Sequence, residues 1–144
     1  MTVCATHTER LEMLKKMAGD KHPRLQKILL DIGGDAIVLN FEEDEAKLLS
    51  RGKTFDTKDA KLRKGRACQC HGNAGYLWDR YKSYKICTGW ALSTDSDGLR
   101  CWRQHSWCLN SAGKIVETTA NRDVYFGFIL DSKESEQFYF DNTL

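Results

Sequence analysis

The sequence predicts an α+β fold, and three observations carry that reading. Apolar residues recur at helical spacing in the first third. Apolar and polar residues alternate at strand spacing in the second half. Between them, a loop changes to a helix near Cys70.

The elements follow in order. Leu11, Met13, Leu14 and Met17 form the face of a first helix, which Gly19-Asp20 ends. Pro23 suits the first turn of a second helix, because its missing N–H costs nothing there. Leu25, Ile28, Leu29 and Ile32 line one side of it, and Gly33-Gly34 stops it. Ala36 to Leu39 reads as a short strand. Residues 42–49 read as a short helix with acids at its positive end. Residues 51–66 hold Arg51, Lys53, Lys58, Lys61, Arg63, Lys64 and Arg66. They read as a solvated connector; the sharper alternative is a basic wall beside a reactive thiol, favouring an anionic substrate.

Strands are expected over 84–93, 99–110, 114–119 and 124–130, after the helix that begins near Cys70. Thr94-Asp95-Ser96-Asp97-Gly98 has turn chemistry, and Ser111-Ala112-Gly113 can close a hairpin. Phe138-Tyr139-Phe140 reads as a fifth strand or an aromatic plug. The 144 residues read as a single domain. Residues 1–66 form a mostly helical N-terminal part with the basic connector, and 67–144 the expected catalytic core.

Composition narrows the function. A formal net charge of +2 is too small for a dominant nucleic-acid footprint. No apolar run is long enough for a membrane span. The first residues lack a secretory pattern, so a cytoplasmic location is expected, the cytoplasm of a host cell if the chain is a delivered effector. Six cysteines, at 4, 68, 70, 87, 101 and 108, then read as reduced thiols.

The chemistry rests on Cys70, His105 and Glu117. A cysteine nucleophile needs partial ionisation, a nearby base and a group that orients the base. The dipole of the following helix acts on Cys70, which is favoured over Cys68 in the preceding loop. Arg103, His105 and Trp107 share one strand face, where Trp107 can shield the imidazole. With a three-residue hairpin loop, Asn110 opposes Lys114, Trp107 opposes Glu117, and Glu117 is a diagonal neighbour of His105. A four-residue loop would put Thr118 there instead. The bland reading of Glu117 is a rim carboxylate paired with Arg103 or Arg122. Gln69, Asn73, Gln104 and Trp107 are candidates for oxyanion or substrate support.

Other readings compete. Cys68, Cys70, His71, Cys101 and Cys108 are soft ligands that would suit zinc, although their spacing is unlike common structural sites. Arg103, Thr118 and Glu134 supply residue types used in ADP-ribosyl transfer, without a nicotinamide pocket motif. Trp78, Trp90, Trp102, Trp107, Tyr125 and Phe126 would suit an aromatic cleft in a non-catalytic binding module.

His105-Ser106-Trp107, a hairpin, and Ile115-Val116-Glu117-Thr118-Thr119 together resemble the transglutaminase-like pattern. The order Cys, His, acid resembles the wider papain-like superfamily. Residues 69–128 also resemble a family of small uncharacterised bacterial proteins. The matching pieces are Gln69-Cys70-His71, Asn73, Leu77-Trp78, Thr88-Gly89, Ala91-Leu92-Ser93, Trp102 to Trp107, Val116 to Thr119 and Tyr125-Phe126-Gly127. The resemblance implies a papain-like core with a nucleophile-bearing helix on an antiparallel sheet. It implies a thiol hydrolase or acyltransferase acting on an amide, ester or thioester, with Cys70 as nucleophile, His105 as base and Glu117 as orienting acid. The transglutaminase pattern has Asp where this chain has Glu117. The expected partner is a protein or peptide substrate, with no membrane, nucleic acid or cofactor.

Overall fold

A computed structural model describes residues 6–39 and 45–143. The architecture is α+β, with five helices against a mostly antiparallel sheet. The helices are α1 (His7–Ala18), α2 (Pro23–Ile32), α3 (Glu45–Arg51), α4 (Cys70–Arg80) and α5 (Ser132–Thr143). The strands are β1 (Ala36–Val38), β2 (Lys53–Phe55), β3 (Lys61–Leu62), β4 (Lys85–Thr94), β5 (Arg100–Leu109), β6 (Ile115–Glu117) and β7 (Val124–Ile129). The acids expected to open α3 at 42–44 lie outside the described residues, as does Cys4. Among the described residues, no helix is long and apolar enough to cross a membrane.

The sheet runs β2-β7-β4-β5-β6-β3, with β1 parallel to β5 beside that path. β4 and β5 pair along their full lengths. On its other edge, β5 pairs with β1 at 101–103 and with β6 at 108–109. Residues 104–107 therefore have no strand on that edge, and the start of α4 approaches there. The hairpin keeps the register set by a three-residue loop: Cys108 faces Val116, and Leu109 faces Ile115. Gly113 takes the left-handed conformation, and Asn110 Oδ1 accepts from the amides of Ala112 and Lys114.

Two expectations need correction. The basic stretch is not a plain connector, because β2 and β3 form within it and pair with β7 and β6. Three-residue and shorter strands with charged side chains carry too little alternation to be seen. Residues 138–140 are not a strand but part of α5, from which Phe138 packs against the core. Asp131 and Glu134 cap that helix reciprocally: Glu134 N donates to Asp131 Oδ1 at 2.8 Å, and Asp131 N to Glu134 Oε1 at 2.9 Å.

Each sheet face has its own core. On one, Trp90, Trp102, Cys108 and Phe126 pack with Ala74 and Leu77 of α4. Gly72 and Gly75 let α5 approach α4 closely; a Cβ at Gly75 would meet Tyr139 and Thr143. On the other face, Cys87, Ala91, Trp107, Leu109, Ile115 and Tyr125 cluster. α1 closes the far end, packing Leu14 against Ala36, Leu99 and Cys101. Arg10 of α1 pairs with Asp95 at 2.9 Å and also with Asp97, tying the helix to the β4–β5 turn.

The row His105–Gly89–Gly127 crosses three strands. A Cβ at Gly127 would lie 2.3 Å from the Thr88 carbonyl oxygen and 2.8 Å from Trp107 Cη2. The missing side chain is what seats the Trp107 indole. Gly127→Ala is therefore expected to cost about 1–3 kcal/mol, read as a lower urea midpoint. An unchanged midpoint contradicts this packing.

Candidate active site

Cys70 is the first residue of α4, following Gln69 at the N-cap. Its thiol sits against two imidazoles, those of His105 and His71. Burial alone would raise its pKa. The adjoining imidazoles, His105 first and then His71, outweigh that and bring it to about 5. The open edge of β5 makes this contact possible. There the first turn of α4 reaches Ser106 through His71 and His105 through Cys70, although these neighbours point to opposite sheet faces.

His105 is buried, at 2% exposure, and Glu117 is fully buried. His105 Nε2 donates to Glu117 Oε1 at 2.7 Å. Burial lowers the basicity of the imidazole, but its bonds to Cys70 and Glu117 hold its pKa above the ordinary value. Trp107 lies along the imidazole, with ring centroids 6.2 Å apart and an interplanar angle of 22°.

Glu117 is no rim carboxylate. Tyr125 donates its hydroxyl at 2.6 Å, the amides of Thr118 and Thr119 donate at 2.9 Å, and Thr119 Oγ1 donates at 3.0 Å. Burial disfavours the charge; His105 first, then Tyr125 and the Thr119 amide, reverse this and hold the pKa near 2. Tyr125 keeps its proton, since burial and the adjoining carboxylate both push its pKa up. Arg103 instead pairs with Asp95 at 2.9 Å, and Arg122 reaches Thr119 Oγ1.

The proposed supports have different fates. Gln69 is exposed beside Cys70. Asn73 clamps the preceding loop: its Oδ1 accepts from Arg66 N at 3.1 Å and its Nδ2 donates to Arg66 O at 2.8 Å. Gln104 points to the face opposite His105, and its Oε1 is buried without a partner among the described residues. Trp107 is fully buried and shields the base.

Sequence reasoning missed the role of His71, which it listed as a metal ligand. His71 Nδ1 and Ser106 Oγ are 2.5 Å apart, and Ser106 Oγ lies 2.9 Å from Thr88 Oγ1. Its one signal was its place beside Cys70 in a first helical turn. Tyr125 and Thr119, which hold Glu117, left no local signal.

The competing constellations do not assemble. Among the described residues, no group of three or more His, Cys, Asp or Glu could hold a metal ion. Cys68 is exposed, Cys101 packs in the cluster beside α1, and Cys108 donates to the Ala74 carbonyl under α4. Glu134 is engaged by Arg51 and Lys47, away from Arg103 and Thr118. Trp90, Trp102, Trp107 and Tyr125 are core residues, not the walls of a cleft. No family model, curated protein or solved structure matches this chain.

Two measurements test the electrostatics. The rate of Cys70 alkylation against pH should show an inflection near 5, and His105→Ala should move it toward the ordinary thiol value; an inflection near ~8.5 in the wild type contradicts this. Glu117→Gln removes one partner of a buried pair and is expected to cost about 3–5 kcal/mol at neutral pH. Glu117 has a depressed pKa, so its contribution is present above the unfolded value and lost as pH falls through the folded one. The stability gap between wild type and Glu117→Gln should therefore narrow as pH drops from 4.5 toward about 2. A gap that stays constant contradicts the pairing.

Proposed function

We propose that this protein is a cysteine-dependent hydrolase or acyltransferase acting on an amide, ester or thioester through Cys70, His105 and Glu117. One observation carries the reading: the Cys70 sulfur lies at a helix start against the His105 imidazole, whose far nitrogen is held at 2.7 Å by buried Glu117. Thiolate, proton donor and orienting anion meet in the order the chemistry needs. A nucleophile-bearing helix on an antiparallel sheet that carries base and acid is also the layout of a papain-like core, and we assign the chain to that type. We place its action on a protein or peptide substrate in a cytoplasm.

The Cys70 thiolate attacks the carbonyl carbon, and the C–S bond forms as the carbonyl π electrons move to oxygen. We assign the amide of Cys70 and the side chain of Gln69 as donors to that oxygen. Collapse breaks the bond to the leaving group, which takes the His105 proton. Water or an amine, deprotonated by His105, then attacks the thioester and frees the thiolate. Hydrolysis, deamidation and acyl transfer share this path. Glu117 fixes the ring throughout and stabilises its charged form before acylation and during release.

A small aryl ester tests the reading. Wild type should release a burst of phenol and carry one acyl adduct on Cys70 by intact mass. Cys70→Ala should abolish both while keeping the fold. His105→Ala should slow acylation by about 10²–10⁴-fold. Acylation of another cysteine in preference, or full reactivity in His105→Ala, defeats the assignment.

A further inference from the structure

A groove of about 790 Å³ runs along α4 beside the proposed nucleophile. Arg63, Lys64 and Arg66 line one wall, and Tyr76, Arg80 and Tyr81 line the other. Gln69 and Thr118, which line it, are the chain neighbours of Cys70 and Glu117 and bring the groove next to the proposed site. We propose that this groove binds an acidic stretch of a peptide substrate and leads its acyl group to Cys70. The inference rests on the acyl-transfer reading of that site and adds its substrate class.

Charge is the first argument. Among the described residues, no Asp or Glu lines the groove, and none of its four cations makes an ion pair. Like charges facing one concave space repel, and a bound anion relieves that repulsion.

The cations are also held in place. The Arg63 amide donates to Glu117 O at 2.7 Å and the Gly65 amide to Thr118 O at 2.8 Å. Asn73 fixes Arg66 through both ends of its amide, and a Cβ at Gly65 would come within 2.6 Å of that amide. The Arg63 guanidinium stacks on Tyr81 at 4.6 Å and bonds its hydroxyl, leaving other N–H donors for a carboxylate. Arg80 donates to the Tyr76 hydroxyl at 3.3 Å. A polar atom already waits on the wall: Thr118 Oγ1 is buried and has no partner among the described residues.

Backbone geometry favours a peptide. β3 ends the sheet, and its ladder runs on through the amides of Arg63 and Gly65 toward β6. Successive strand amides point to opposite sides, so the Lys64 amide faces away from β6. An extended acidic chain can pair with that edge while its carboxylates meet the cations. A net charge of +2 spreads little of this potential over the rest of the surface.

Binding is measured in the Cys70→Ala protein, so it needs no chemistry. Anisotropy of labelled oligoglutamate is compared with oligoglutamine and with single-stranded oligothymidylate. Oligoglutamate should bind about tenfold or more tightly than oligoglutamine, and weaken as salt rises. Lys64→Glu, an exposed position without a partner among the described residues, should remove about tenfold of that affinity without changing the melting temperature, and Arg80→Glu should lower the affinity similarly. Equal binding of the two peptides, or no effect of Lys64→Glu, overturns the proposal. Tighter binding of oligothymidylate, lost in the same variants, overturns the peptide occupant. Failure of the wild type to be acylated by the ester, with oligoglutamate binding intact, defeats the catalytic reading and leaves the groove standing.

Discussion

The bond from His105 to Glu117 is the constraint on which the site depends. A carboxylate with no solvent exposure is costly unless every acceptor position is used. Here an imidazole, a phenol, two amides and a hydroxyl converge on it. These donors come from β5, β7 and the chain just after β6, so the buried charge is satisfied only when the sheet has closed around it. Folding and readiness for chemistry are in this sense one event. The same pair holds His105 above its ordinary pKa, and the charged imidazole in turn draws the proton from Cys70.

The break in strand pairing along β5 does the complementary work. With the β1 pairing stopping at Arg103 of β5 and the β6 pairing starting at Cys108, a helix end can approach the strand edge-on. α4 fills that gap, with glycines on its other side admitting α5. The thiol therefore meets the base without a loop having to close, and Trp107 keeps water from the far side of the ring. His71, bonded to Ser106 and through it to Thr88, gives the sulfur a second polar neighbour and pins the helix start to the sheet.

Much of this was legible in the chain. Ten-residue strands such as β4 and β5 alternate clearly, and the Asn110 to Gly113 loop sets a register that makes Glu117 diagonal to His105. Three kinds of information were hidden. Short charged strands such as β3 are made by pairing, not by propensity, so a row of lysines reads as solvated chain. Phe138-Tyr139-Phe140 carries strand-like composition, and the Asp131–Glu134 cap that decides for helix is a weaker local signal. Tyr125 reaches Glu117 through contacts that no spacing rule reveals.

The most direct test is the ionisation state of His105 itself. Nitrogen-15 imidazole NMR across a pH series reports when each ring nitrogen loses its proton. The account predicts a His105 that titrates above an ordinary histidine in the wild type, and a lower titration when Cys70 becomes Ala. A ring that titrates as an ordinary histidine and is indifferent to Cys70 would contradict it.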